Sequence, residues 1–177
     1  EHHTPGNIDE VIAHAVAHQT VFHQFMLYTP VPGTPLYREV QAEGRLLDGV
    51  DLADIHGQYK FNFRHAAISC DQSKTFLDRA FRRDFDVNGP SLYRLMASMM
   101  TSWRRYRHDA DARVRERVRG EAARLGAGYG AVLWAMEKYL QASDQSMSRR
   151  VRDLRLEIER EIGGWSPVIH RIVGPLL

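Results

Sequence analysis

Cysteine is nearly absent from this chain: Cys70 is the only one. A disulfide framework is thereby excluded, and the lone thiol fits a reducing, cytoplasmic setting. A zinc or iron–sulfur site built from several cysteines of this chain alone is excluded as well. Long hydrophobic runs are also scarce. Residues 11–37 carry no Asp, Glu, Lys or Arg, but three histidines, two glutamines and three prolines break up the stretch. It is longer than the roughly 20 residues that cross a bilayer, yet too polar to do so. Leu125 to Met136 is more evenly apolar and too short. No transmembrane segment is expected. The opening Glu-His-His-Thr-Pro lacks the basic-then-apolar layout of a secretory signal. Since Glu1 is not a start methionine, the sequence reads as a processed product or a piece of a longer polypeptide.

What is present is the composition of a globular protein, with 44% hydrophobic and 26% charged residues in a chain of 177. The net charge of +2 is unevenly spread. Residues 1–100 hold 9 Lys/Arg against 12 Asp/Glu, and residues 101–177 hold 15 against 10, giving −3 and +5. A basic half can mark a nucleic-acid or acidic-partner surface. Here acids are interleaved with the arginines, so solvated faces of Arg-rich helices are the expectation, and no nucleic-acid partner.

Asn7-Ile-Asp-Glu10 opens a helix: Asn7 can cap it, the acids suit the positive end of the dipole, and Ile8, Ile12, Ala15 and Val16 share a face. It should end near Gln19. Val21 to Tyr28 is then apolar and aromatic save for His23 and Gln24, as in a strand covered on both faces by helices. A helix followed by such a strand predicts an α/β N-terminus.

Three of the chain's seven prolines fall in the next few residues, Pro30, Pro32 and Pro35. Pro30 and Pro32 lack the N–H of a ladder and end the strand, while Gly33 permits backbone angles closed to other residues. Thr34-Pro35 reads as N-cap and first residue of a short helix over Leu36–Glu43, stopped at Gly44. Such a corner at the carboxyl end of a parallel strand is where ligands bind in α/β folds.

Tyr59-Lys-Phe-Asn-Phe-Arg64 alternates like a short strand. Ser69-Cys-Asp-Gln72 is a capping box before a helix with Phe76, Leu77, Ala80, Phe81 and Phe85 on one side, stopped by Asn88-Gly89-Pro90. Another helix runs from Ser91 with Leu92, Leu95, Met96, Met99, Trp103 and Tyr106 at helical spacing. Beyond Asp109 two further helices are expected, one through residue 140 and one from Ser146 to Gly163-Gly164, and then an apolar tail with Ser166-Pro167 as cap and first residue of a last helix. Three regions follow: 1–68 as a terminal αβ unit with its connecting segment, 69–108 as a helical pair, and 109–177 as a helical extension.

The helix from Asn7, the apolar stretch around Gln24, the corner Thr29-Pro-Val-Pro-Gly-Thr-Pro-Leu-Tyr37 and the following Glu43-Gly-Arg-Leu46 together resemble the last barrel unit of a radical S-adenosylmethionine enzyme. The subclass they resemble carries an N-terminal cobalamin-binding domain. His56-Gly-Gln-Tyr59, Ile68-Ser69 and the helix around Ala80-Phe-Arg-Arg-Asp-Phe85 continue the likeness to about Arg107; residues 109–177 show none. The resemblance implies one terminal αβ unit of a partial TIM-type barrel and a mainly α-helical extension. It further implies a parent enzyme with S-adenosylmethionine, a 4Fe-4S cluster and, by subclass, cobalamin, acting through a 5′-deoxyadenosyl radical on a small-molecule substrate.

The cluster would need a Cys-x-x-x-Cys-x-x-Cys loop, which this chain lacks. It should therefore hold no cofactor and be inactive alone, its first partner being the missing N-terminal part of the same enzyme. Asp54-Ile-His56-Gly57 starts like the family's cobalamin motif but has Tyr59 where glycine is required. What the resemblance leaves to this chain is one wall of the site. In a barrel strand alternate residues point inward. Gln24, Met26 and Tyr28 are expected to face S-adenosylmethionine or substrate, with Pro30, Pro32 and Thr34 at the rim. No catalytic residue and no metal ligand is assigned.

Other constellations have plainer readings. Glu10, His14 and His18 lie four apart on the first helix, a metal-chelating spacing expected here on a solvent face. Gly126-Ala-Gly-Tyr-Gly130 has neither the spacing nor the preceding strand of a phosphate loop and points to close helix packing. Trp103-Arg-Arg-Tyr-Arg107 mixes aromatic and basic residues as single-strand binders do, but both aromatics sit on the apolar stripe. The alternative to an enzyme part is a non-catalytic, mainly helical interaction module with an Arg-rich docking or nucleic-acid-binding face.

Overall fold

The computed structural model describes residues 2–58 and 60–163. Among them are six α-helices: α1 Ile8–Ala17, α2 Pro35–Ala42, α3 Cys70–Asn88, α4 Ser91–Tyr106, α5 Ala112–Leu140 and α6 Gln145–Glu161. No strand occurs among the described residues, so the α/β N-terminus and its terminal barrel unit are not seen. The pairing that remains is one isolated antiparallel bridge, Leu46 to Phe63. Tyr59, Gly164 and the Ser166-Pro167 cap lie outside the described residues. The chain divides between Asn88 and Gly89 into two compact units.

The first unit is built on α1 and α3. Asn88 Nδ2 donates to the Val16 carbonyl at 2.9 Å, and Arg79 reaches Asp9 at 2.6 Å. Asn7 stands at the N-cap of α1 without a side-chain cap bond. Its amide instead braces the preceding turn, accepting from Thr4 N and donating to the His2 carbonyl. On α3 the capping box forms in both directions: Gln72 N donates to Ser69 Oγ at 3.2 Å, and Ser69 N donates to Gln72 Oε1 at 2.9 Å. The stripe that α3 buries is Ser73, Leu77, Ala80, Asp84 and Asn88. Phe81 and Phe85 fall beside it and remain exposed.

Val21 to Thr29 accounts for the failed strand expectation. Burial does alternate with period two: His23, Phe25 and Leu27 are half-buried, while Phe22, Gln24, Met26 and Tyr28 are exposed. The covering surface, however, is helical. His23 bonds Asp84 of α3, Phe25 packs with Ile12, Val16 and Ala80, and Leu27 joins the cluster of Val40, Phe61, Phe63 and Ile68. Moving from His23 to Phe25 shifts the contact on α3 from Asp84 to Ala80, about 6 Å of helix for two residues. That is close to the rise of extended chain. From Phe22 to Tyr28 the backbone bond that forms is Leu27 N to the Gly57 carbonyl at 2.6 Å. Without a ladder there is no sheet. Gly57 must be glycine at this approach, since it has φ +72° and a Cβ there would stand 2.5 Å from the Leu27 carbonyl oxygen.

In the second unit α4, α5 and α6 pack around Met96, Met99, Met100, Leu133, Leu140, Val151 and Ile158. Asp111 caps α5, accepting from Arg113 N at 2.8 Å. The Arg113 guanidinium holds the Asp111 carboxyl below its usual range. The cap is therefore complete above the ordinary aspartate range and lost as pH falls through the lowered folded value. Glu137 is buried on α5 and receives Arg155 of α6 at 2.9 and 3.2 Å, while Arg155 also reaches Glu159 at 2.8 Å.

Two helical glycines of α5 separate packing from propensity. A Cβ on Gly126 would meet Ile158 Cγ2 at 3.3 Å, whereas one on Gly128 meets nothing within 4 Å. Gly128→Ala should therefore raise stability by about 0.5–1 kcal/mol. Gly126→Leu, which forces α6 away, should lower it by about 1–3 kcal/mol. Urea unfolding of the two variants checks both signs.

Candidate functional site

The corner after the extended segment is fixed by its own hydrogen bonds. Thr34 Oγ1 donates to the Val31 carbonyl at 2.7 Å and accepts from Tyr37 N at 3.2 Å, so one hydroxyl closes the turn and caps α2. Pro35 is the first residue of the helix. Pro30 is fully buried, and its carbonyl accepts from Asn62 Nδ2 at 2.7 Å. Asn62 Oδ1 is itself buried with no partner among the described residues. Pro30 and Thr34 are thus engaged in shaping the corner.

The other three expected site residues stand together. Gln24, Met26 and Tyr28 are on the exposed side of the segment, with Met26 53% and Tyr28 60% exposed. Met26 and Tyr28 line one hollow of about 110 Å³ with Phe61, His65, Ile68 and Phe76. Gln24 does not line it. The sequence expectation omitted the hollow's far wall, although the alternation Phe61, Phe63, His65 carried a signal for it. His65 stacks on Phe61 at 5.3 Å. Its Nδ1 accepts from Ala67 N and Ile68 N at 3.1 Å each, which leaves the proton of the neutral ring on Nε2. A hollow of this size and lining accepts one ring or a short apolar group, since an engineered apolar cavity of about 150 Å³ takes up benzene.

Beneath the segment lies a buried polar cluster. Asp84 accepts from His23 Nδ1 and from Asn88 Nδ2, each at 2.8 Å. Each of its partners is also held by the fold, His23 by stacking on Phe25 and Asn88 by the Val16 carbonyl. The cluster reads as an anchor for the extended segment, since a buried carboxylate needs such donors.

Among the described residues no group of three or more His, Cys, Asp or Glu is placed to hold a metal ion. His14 and His18 meet edge to face at 5.3 Å. In the cobalamin-like stretch, His56 Nδ1 accepts from Gln58 N, and Asp54 pairs with Lys60 at 2.5 Å. Cys70, the sole thiol, is exposed at the first turn of α3. One thiolate does not fit a 4Fe-4S cluster, which takes several.

Half of the described arginines of the second unit pair with carboxylates. Arg104 pairs with Glu157, Arg107 with Glu161 at 2.9 Å, and Arg117 with Glu121 at 3.0 Å. Trp103 packs against the core, under the Arg107 guanidinium at 6.0 Å. Among the described residues no helix is long and apolar enough to cross a membrane. Compared with models of protein families, with curated proteins and with solved structures, the chain matches none.

Proposed function

We propose that this chain is the C-terminal part of a radical S-adenosylmethionine enzyme and supplies a wall of its active site. Cluster ligation then belongs to another part of the polypeptide, since a single exposed thiol does not fit it. The observation that carries the reading is the exposed row Gln24, Met26 and Tyr28, which ends in a corner held by Asn62 and by the two bonds of Thr34. S-Adenosylmethionine supplies the parent with a 5′-deoxyadenosyl radical. For that ligand this chain offers an apolar aromatic hollow beside Met26 and Tyr28 and an exposed amide at Gln24. Those groups would seat and orient an adenosyl moiety or substrate by stacking and hydrogen bonding, and exclude water on their side. The setting is a reducing cytoplasm, and the substrate is a small molecule. Cobalamin belongs to the parent by subclass.

The parent reading frame provides the first test, with a Cys-x-x-x-Cys-x-x-Cys loop expected upstream of Glu1. The second uses the full parent, reconstituted without oxygen: release of 5′-deoxyadenosine should fall about tenfold or more in Tyr28→Ala. A start codon directly before Glu1, or undiminished release in the variant, overturns the reading. The second reading, a non-catalytic helical interaction module, is favoured by the all-helical content of the described residues. Its Arg-rich nucleic-acid version is weakened by the carboxylates that hold Arg104, Arg107 and Arg117.

A further inference from the structure

The second unit buries α5 on a side that its partner helices do not face. Among the described residues α4 and α6 are the helices packed on α5, across a core that includes Ala122 and Leu140. Ala131 stands nine residues from each, two and a half turns, and so points the opposite way. It lies outside that core, yet it is only 5% exposed. Trp134, one turn on, leans back over one flank of Ala131. The other flank is Ala127 and Gly128, which are too small to shade it. The cover is local: Ala127 and Ala135 are half-buried, whereas Ala123, Arg124 and Lys138 are exposed.

We propose that residues 164–177 of the same chain dock on this face of α5. Three observations favour them as the occupant. The first is where α6 ends. Gly163 has φ +77°, a left-handed close that turns the chain back. Its carbonyl oxygen lies 3.8 Å from where a Cβ of Gly126 would stand. The chain therefore leaves α6 beside α5, about 8 Å along the axis from Ala131.

The second observation is length. The covered stretch from Ala127 to Ala135 is about 12 Å of helix, and an extended segment of this length reaches up to roughly 46 Å. A helix opened by Ser166-Pro167, as the sequence reads, would still span about 16 Å. The third is chemistry. Seven of these 14 residues are Trp, Val, Ile or Leu, and none is Asp, Glu or Lys. Such a segment gains by leaving water, and the alanines of α5 let it approach closely. The docking does not depend on the enzyme reading.

Arg171 supplies the test, being the one Lys or Arg in the segment. Trypsin is applied briefly to the full chain, and cutting after Arg171 is compared with cutting of a synthetic peptide of residues 164–177. Docking should slow the cut about tenfold or more relative to the peptide. Ala131→Glu, which sets an unpaired carboxylate under the segment, should speed it about tenfold. Ala123→Glu, on an exposed turn of the same helix, should leave it unchanged. Slow cutting after Arg155, which Glu137 and Glu159 hold, confirms that the unit stays folded. If Ala131→Glu loses that protection, the uncharged Ala131→Gln repeats the comparison. Three results overturn the proposal: a wild-type cut as fast as the peptide's, which would leave the face to a different occupant; a cut indifferent to both Ala131 variants; and equal acceleration by Ala123→Glu.

Discussion

Phe63→Ala is expected to destabilise the first unit by about 3–5 kcal/mol, the cost of deleting a fully buried aromatic ring. Phe63 is wholly shielded from solvent and lies at the centre of its cluster. Its ring meets Phe61 at 5.3 Å, His65 at 6.0 Å and Tyr28 at 6.5 Å, and the Arg45 guanidinium lies 5.7 Å from its centroid. It also makes the one isolated bridge, to Leu46. Little nearby can collapse into the space, because Val40 and Ile68 are already buried around it. In a unit of this size such a loss lowers the melting temperature by more than about 10 °C. A drop of a few degrees would mean that the cluster is not the core of the unit.

The second large effect is in the other unit. Glu137→Ala should cost about 3–5 kcal/mol, because it strands the half-buried Arg155 guanidinium that donates twice to the lost carboxylate. Glu159 remains as a partner at 2.8 Å, so the loss should sit toward the lower end of that range. Replacing Glu137 and Arg155 together by Met should restore much of it, since an apolar pair of similar volume avoids desolvating charge. A double-mutant cycle in denaturant measures the coupling. If the losses of Glu137→Met and Arg155→Met simply add in the double variant, the pair contributes no coupling of its own.

The helices were legible in the sequence where a local chemical signal set their ends. Ser69 and Gln72 form the reciprocal bonds that their spacing announces, and Thr34-Pro35 starts α2 as read. The segment Val21–Tyr28 misled because period two records which side chains are covered, and the covering surface need not be a sheet. Here α1 and α3 cover one side, and the described residues supply no partner strand. The spacing put Phe81 and Phe85 on one side of α3 with Phe76, Leu77 and Ala80, and both are exposed. The buried stripe instead includes Ser73, Asp84 and Asn88, polar residues that hydrogen bonds make tolerable inside.

For the candidate site, Gln24, Met26 and Tyr28 were legible as one row, because alternation fixes which residues share a side. Thr34 was legible as the cap of α2, since its bonds to Val31 and Tyr37 are local. That Pro30 would turn to an internal bond was not, because its partner Asn62 depends on how the chain folds back. The far wall of the hollow was missed for the same reason: Phe61 and His65 reach Tyr28 across more than thirty residues of sequence.

The division at Asn88 and Gly89 also sorts the chain's optical reporters. Trp103, Trp134 and Trp165 all follow it, whereas the only thiol, Cys70, precedes it and is exposed. Indole emission therefore monitors the half that holds α4, α5 and α6, and a dye coupled to that sulfur monitors the other. One titration followed at two wavelengths can reveal whether the halves come apart in concert or in sequence.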